Sequence, residues 1–468
     1  MNFQMIARIL VRILSISALA MGVCIGVAAY YGEDMLPFAF SAATAATLAV
    51  MLYVFSPKQK MNFAKRKVFF AVALSWISIS IIGTLPYLFS GVLPYFNDAF
   101  FESASGFSTT GASVFQDVEI LPKSILFWRS LSNWIGGIGI ILLVIVIMPS
   151  LKMGSYQMFS MEMQERIVPR ITDLGVRLMA IYVVLTALEI LLLTLGDMPV
   201  FDSVCHALST ISSGGFSTRN AGIAEYSPYI QYVIMLFMML SGVNFIIFYF
   251  IVKGKFNKIK NNEELKYYLL IILITGLSVA GLLFFRQQEN VETSLRESFF
   301  QIISNITGTG FSTIDSMQWG KTGILFVVLI SLCGGCMGST SGSIKMGRHI
   351  VLIKNIRYVI HSQIHPNSVH KITLNKKIIS PEDNNTIIGF VSLYFLSILA
   401  GSAAMLLFGS DVHTAITTVV SSLGCVGTGN FTVLPDSAKT LLSSLMILGR
   451  LELYAILILF FPSYWKKM

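Results

Sequence analysis

Four short stretches of the chain combine glycine with small hydroxyl residues, a composition suited to holding a dehydrated cation. They are Phe107-Ser108-Thr109-Thr110-Gly111-Ala112-Ser113, Ser212-Ser213-Gly214-Gly215-Phe216-Ser217-Thr218, Thr307-Gly308-Thr309-Gly310-Phe311-Ser312-Thr313 and Gly424-Cys425-Val426-Gly427-Thr428-Gly429-Asn430-Phe431. Aligned on Gly111, Gly215, Gly310 and Gly427, they lie 104, 95 and 117 residues apart. A loop that turns successive carbonyls toward an ion needs φ values that only a residue without Cβ adopts freely. Small neighbours allow close approach and add oxygen donors, which hard monovalent cations accept in place of water. The candidate ligating set is Thr109, Thr110, Gly111, Ser213, Gly214, Gly215, Thr309, Gly310, Val426 and Gly427. One such loop would be equally well explained by small-residue helix packing. Four in matching positions point to an internal repeat around a shared site.

A second glycine-rich stretch spans residues 331–347. It holds Gly334, Gly335, Gly338, Gly342 and Gly347 with Ser339, Thr340, Ser341 and Ser343. Each glycine costs a helix about 1 kcal/mol relative to alanine. The stretch therefore predicts non-helical backbone at membrane depth, tolerated where it lines a watery cavity. Beneath a cation site it would act as a gate. Lys345 follows these glycines, but the Gly-Lys-Ser/Thr order of a phosphate-binding loop is absent. Cys333 and Cys336 form a CxxC without a second ligand pair, so no zinc site follows.

Arg450 lies inside the last apolar run, where a charge is costly and faces a bundle interior or an aqueous path. It would raise the barrier to cations or form a structural ion pair with Glu452 or Glu189. Glu189 is also intramembrane and is read as structural. Asn244 is expected to hydrogen-bond between helices. His361, His365 and His370 lie in the longest basic loop; a metal site there is the weaker reading than a solvated, lipid-facing or partner-facing surface. No GxSxG with partners, no HExxH and no pair of facing intramembrane Asp residues is present, so an enzyme is not expected.

These residues must be positioned by membrane helices. The set AVILMFWYC makes up 54% of the 468 residues and charged residues 12%, too few charges to cover a soluble globule of this size. Ten apolar runs fall near 9–31, 36–56, 68–90, 124–149, 174–196, 229–252, 267–285, 322–344, 386–408 and 440–462, each close to the roughly 20 residues a bilayer core needs. The first is read as a retained helix rather than a signal peptide. Shorter segments near 98–108, 202–212, 297–307 and 413–424 are too short to span and are read as re-entrant helices. Thirteen residues before each aligned glycine sit Asp98, Asp202, Glu297 and Thr414, the last with Asp411 just upstream, expected helix starts where an acid suits the positive end of the dipole. The negative helix ends would then face the glycine loops. Outer-mouth acids (Asp98, Asp117, Glu119, Asp202, Glu225, Asp315, Asp436) would draw cations in.

The predicted fold is all-α integral membrane. Ten transmembrane helices form four pseudo-symmetric units of helix, pore helix, filter loop and helix around one pore, preceded by two further helices. The expected divisions are 1–60, 61–152, 153–256, 257–378 (with the gating loop 331–347) and 379–468. Assigning the N-terminus, 57–67, 150–177, 253–266, 345–377 and the C-terminus to one side collects 25 of the 33 basic residues. That asymmetry predicts both termini in the cytoplasm. The net charge of +9 is thus read as orienting loops, not as binding nucleic acid. The five cysteines give no disulfide framework.

With these marks the chain resembles the Trk/Ktr/HKT superfamily of potassium transporters, and specifically its bacterial Trk-type membrane subunits. The resemblance covers essentially the whole chain. It rests on the four glycine loops, Ser132-Asn133-Trp134-Ile135-Gly136-Gly137-Ile138-Gly139, Gly334-Gly335-Cys336-Met337-Gly338-Ser339-Thr340-Ser341-Gly342-Ser343-Ile344-Lys345, and Gly449-Arg450-Leu451-Glu452. It implies one filter glycine per repeat, an obstructing loop in the third repeat and a basic residue, here Arg450, beneath the filter. Some plant members carry serine in the first repeat and favour sodium; Gly111 resembles the potassium-selective class. The resemblance further implies K⁺ as the transported ion with no organic cofactor, the bacterial cytoplasmic membrane, a homodimer, and a cytosolic RCK-type nucleotide-binding partner. A K⁺ symporter coupled to Na⁺ or H⁺ is the alternative; its mark would be a midplane carboxylate, for which Glu189 is the candidate.

Overall fold

The computed structural model describes residues 3–55, 65–142, 171–287, 290–313, 320–367 and 371–465. Helices account for nearly all regular structure. Among the described residues the only sheet is a hairpin pairing Thr373–Leu374 with Lys377–Ile378. Its turn residues Asn375 and Lys376 both have positive φ, 50° and 64°, as a tight two-residue hairpin turn requires.

Six described helices are long and apolar enough to cross a bilayer: Ile6–Tyr31, Leu36–Val54, Phe69–Phe89, Leu174–Leu195, Glu263–Phe285 and Pro381–Leu407. Two bent pairs bring the number to eight: Pro228–Ser241 with Phe245–Val252, bent by 96°, and Asp436–Arg450 with Tyr454–Phe460, bent by 105°. The other two expected runs differ for visible reasons. The run 124–149 forms helix Lys123–Leu142, with the remainder outside the described residues. The run 322–344 is helical only to Cys333, where the glycines begin.

Each bend has a local cause. At the first, Asn244 caps the second half-helix, its side chain accepting from the Ile246 N–H at 3.0 Å. Asn244 therefore acts at a helix start, not simply as a bridge between helices. At the second, Glu452 and Leu453 adopt φ of 56° and 50°, which no helix continues through.

The spanning helices carry apolar residues outward: Leu19 is 73% exposed, Leu195 68% and Leu399 66%. No soluble fold leaves such faces bare, whereas a bilayer covers them. Inside them lie four shorter helices, Phe96–Phe107, Val200–Ile211, Val291–Thr307 and Val412–Gly424. Their inner ends are buried, and aromatic packing fixes them. Trp128 is fully buried between Phe38 and Phe107, with ring centroids 6.3 and 6.0 Å away, and its Nε1 donates to the Gly83 carbonyl at 3.3 Å. Phe107 is the last residue of the first short helix, so this packing sets where the following loop begins.

The expected acidic helix starts hold in three of four cases. Asp98 and Asp202 lie in first turns, and Asp411 caps the fourth helix, accepting from the Thr414 N–H at 3.1 Å. The third helix begins earlier, at Val291, so Glu292 is its first-turn acid and Glu297 lies inside it.

Candidate functional site

Every short helix ends in a loop of the same form. The residue two before each aligned glycine is in the left-handed region: Thr109 at 55°, Ser213 at 55°, Gly308 at 79° and Cys425 at 52°. Gly111, Gly215 and Gly310 repeat it at 77°, 76° and 80°. Left-handed conformations alternating in this way turn neighbouring carbonyls together. Gly427 departs from the pattern, with no positive φ. The carbonyl beside it, on Val426, accepts the Ser421 hydroxyl.

The four loops meet in a closed cycle. A Cβ added to Gly111 would overlap the Gly214 carbonyl oxygen, and one on Gly215 would overlap the Thr309 carbonyl oxygen. A Cβ on Gly310 would lie 2.7 Å from the Gly427 nitrogen, and one on Gly427 would lie 2.7 Å from the Thr110 carbonyl oxygen. The order is thus first to second, second to third, third to fourth and fourth back to first. Thr109, Thr110, Thr309 and Val426 are all fully buried and Ser213 nearly so. In the first and third loops hydroxyls pair: Ser108 with Thr110 at 2.7 Å and Thr307 with Thr309 at 2.8 Å. Glycine is needed at the aligned positions because backbone meets backbone there.

The glycine-rich stretch lies against this cycle. It is narrower than 331–347: the preceding helix ends at Cys333, the next begins at Met346, and residues 334–345 between them are buried. Thr340 Oγ1 is 2.8 Å from Ser213 Oγ and donates to the carbonyls of Ile211 at 3.1 Å and Ser241 at 3.2 Å. Ser343 Oγ donates to the Gly424 carbonyl at 3.2 Å, and a Cβ on Gly342 would overlap that same oxygen. The Gly342 nitrogen would lie 3.6 Å from a Cβ on Gly308. Positive φ at Gly334 (69°) and Gly338 (77°) folds the stretch back on itself, and a Cβ on Gly335 would lie 2.7 Å from the Gly242 carbonyl oxygen.

Arg450 joins this arrangement but not through a carboxylate. Its guanidinium donates to the carbonyls of Thr340 at 2.8 Å and Gly136 at 3.2 Å. Glu452 is engaged elsewhere, with Arg348 at 2.5 Å and Lys345 at 3.7 Å. The ion pairs considered for Arg450 from sequence therefore do not form.

Other residues singled out in the sequence stand apart. Glu189 is fully buried, and neither carboxylate oxygen has a hydrogen-bond partner. The nearby Thr210 hydroxyl donates to the His206 carbonyl instead, at 2.8 Å. The His361 and His365 rings lie 4.9 Å apart, tilted by 50°, while His370 lies outside the described residues. No cluster of three or more metal-ligating side chains occurs among the described residues. Several mouth acids are not free: Asp98 pairs with Lys439 at 2.6 Å, and Asp202 takes hydrogen bonds from Thr218 and Tyr226. Asp117 is held by Asn220 at 2.7 Å, and Asp315 lies outside the described residues.

Two features escaped the sequence reading. Six residues before each aligned glycine stands a serine: Ser105, Ser209, Ser304 and Ser421. Their carbonyls accept loop N–H groups from Thr110 (2.9 Å), Gly214 (2.7 Å), Gly310 (3.3 Å) and Val426 (2.9 Å). The repeat was visible in the alignment, but serine is common enough to pass unnoticed. The second is the buried pair of Glu102 and Arg129 at 2.8 Å. Arg129 also donates to the Ser113 hydroxyl at 3.1 Å and the Ser217 carbonyl at 3.2 Å, binding the segments after the first and second loops together.

Known proteins resemble this chain in sequence, and one in solved structure. The "Trk system potassium uptake protein TrkH" of Salmonella typhimurium is 33% identical over the full length of both chains. The "Trk system potassium uptake protein TrkG" of Escherichia coli is 33% identical over 88% of this chain and 87% of its own. The crystal structure of the potassium transporter TrkH from Vibrio parahaemolyticus superposes with a TM-score of 0.92 at 29% identity, covering all of both chains. The sequence profile described as "TrkH: Cation transport protein" matches residues 37–467. An all-helical membrane fold, a closed cycle of glycine loops and these full-length likenesses agree: the chain belongs to the TrkH family of cation transport proteins.

Proposed function

We propose that this protein takes up potassium across the cytoplasmic membrane through a carbonyl-lined constriction formed by the four glycine loops. The observation that carries the reading is the closed cycle from Gly111 through Gly215, Gly310 and Gly427 back to Thr110. A ring of backbone oxygens from four loops replaces the hydration shell of a monovalent cation without a titratable ligand. The potassium-uptake names of the full-length relatives fit that chemistry. The ligating set is Thr109, Thr110, Gly111, Ser213, Gly214, Gly215, Thr309, Gly310, Val426 and Gly427. The repeating units are 61–152, 153–256, 257–378 and 379–468, after a two-helix unit at 1–60.

The 334–345 loop, including Gly334, Gly335, Gly338, Gly342 and Lys345, is the gate. Its contacts with Ser213, Gly308 and Gly424 support a position across the path on one side of the ring. Arg450 pins it by the Thr340 carbonyl and sets a positive charge beside the path. The basic loops face the cytoplasm, as do both termini, so the gate lies on the inner side of the ring. A second copy of the chain and a cytosolic RCK-type nucleotide-binding subunit complete the working assembly, as the family resemblance implies and in keeping with the "Trk system" names of the relatives.

Coupled symport is the competing reading, favoured only by the unpartnered carboxyl of Glu189. Reconstituted protein tests both. Uptake of K⁺ down its own gradient, with no Na⁺ or pH gradient and unchanged in Glu189→Gln, supports the pore. Uptake that requires the second gradient and vanishes in Glu189→Gln supports symport.

A further inference from the structure

One side chain outside the 334–345 loop ties the loop's interior to the helix that follows it. Glu264 lies in the first turn of helix Glu263–Gln287 and is 3% exposed. Its Oε1 accepts the Met337 N–H at 2.7 Å and the Gly347 N–H at 2.9 Å. These amides are ten residues apart in sequence, and one carboxylate oxygen draws them together. Gly347 makes the approach possible: a Cβ there would lie 2.7 Å from Met337 Sδ and 3.0 Å from Glu264 Oε1. Buried N–H groups without an acceptor are costly, and a charged acceptor binds them more strongly than a neutral one.

The start of the same helix is fixed to the Thr373–Ile378 hairpin. The Glu263 N–H donates to Asn375 Oδ1 in the hairpin turn at 2.7 Å. The Glu263 carboxylate meets Lys354 Nζ at 2.5 Å, and Lys354 donates to the Thr373 carbonyl at 2.7 Å. A continuous set of polar contacts thus runs from the hairpin turn through Glu263 and Glu264 to the loop. Glu452 holds the loop's last residue, Lys345, separately, at 3.7 Å.

We propose that Glu264 is a positioning residue that clasps Met337, inside the 334–345 loop, to Gly347 in the first turn of the helix that follows, and ties the loop's resting position to the 373–378 hairpin. Displacing the hairpin then loosens the loop. Only the consequence for ion flux rests on the reading of the loop as a gate; the clasp itself is read from the exposure of the loop.

Cys336, adjacent to Met337 and 1% exposed, reports that exposure. Full-length protein in liposomes is treated with a water-soluble maleimide, and modification of Cys336 is followed by peptide mass spectrometry alongside K⁺ flux. Glu264→Ala should speed modification about tenfold or more, the factor that 1.4 kcal/mol represents, and should raise K⁺ flux. Glu264→Gln keeps an acceptor oxygen but not its charge and should fall between wild type and Glu264→Ala in both. Asn375→Ala should give a smaller increase of the same sign. If Glu264→Ala does not fold, Gly347→Ala, which wedges a methyl between Met337 and Glu264, takes its place. Modification as slow as wild type in a folded Glu264→Ala or Gly347→Ala overturns the clasp. Faster modification with unchanged flux supports the clasp and overturns the gate.

Discussion

The fourth glycine loop closes on the first: a Cβ on Gly427 would lie 2.7 Å from the Thr110 carbonyl oxygen. Loops separated by more than three hundred residues of sequence are therefore backbone neighbours. This contact turns a series of four similar segments into a ring, and the mechanistic reading depends on it.

The ring is not uniform, and substitutions should show it. Gly215 has φ of 76°, where a side chain costs about 1–3 kcal/mol, and its Cβ would overlap the Thr309 carbonyl. Gly427 faces crowding but not that torsional strain. Gly215→Ser should lower K⁺ over Na⁺ preference roughly tenfold or more, about 1.4 kcal/mol, and Gly427→Ser by less. Competing cation fluxes in liposomes measure both.

Arg450 combines a contact with a charge. Arg450→Gln removes the charge and one arm of the fork that spans Thr340 and Gly136. K⁺ flux should rise roughly fivefold, a barrier change of about 1 kcal/mol, while the K⁺ to Na⁺ ratio stays fixed. A change in the ratio instead would place Arg450 within the selective step.

Glu102 and Arg129 are both buried, and removing one leaves an uncompensated charge, at a cost of about 3–5 kcal/mol. Arg129→Met alone should therefore melt well below wild type in detergent. Arg129→Met combined with Glu102→Gln should recover much of the loss. A double variant no better than the single one would show that the Ser217 and Ser113 contacts, not charge balance, carry the stability.

Asp117 gives a pH signature outside the membrane. Its hydrogen bond from Asn220, then that from the Glu119 N–H, hold its carboxyl below the usual carboxylate range. A depressed folded pKa means stabilisation present above the unfolded value, about 3.9, and lost as pH falls through the folded value. The protection factors of amides in the 114–122 loop, exchange rates divided by the intrinsic rate at each pH, should be constant from about pH 8 to pH 5 and fall below about pH 4. Asp117→Asn should show the lowered protection at every pH.

Much of this was legible in the sequence because membrane constraints are strong. Apolar runs and the glycine-rich break each follow from a single physical requirement; eight of the ten runs are spanning helices or bent pairs, and the break is non-helical from Gly334 to Lys345. What was not legible depends on contacts between distant segments. Arg450 meets two carbonyls, which carry no sequence signature, so a search for acidic partners pointed to Glu452 and Glu189. Glu452 serves Lys345 and Arg348 instead. The third short helix starts at Val291 rather than near Glu297, because a polar first two turns hide a helix from a search for apolar runs. Glu102 and Glu264 were passed over because a lone acid near a helix end looks solvated until its partners are known.

The most direct test of the ring is the reversal potential of purified protein in planar bilayers under opposed K⁺ and Na⁺ gradients, for wild type and Gly310→Ser. Gly310 has φ of 80° and backs onto the Gly427 nitrogen. A K⁺-selective reversal potential in wild type that shifts toward zero in Gly310→Ser is the predicted result. A reversal potential unchanged by Gly310→Ser would contradict the ring as the site of selection.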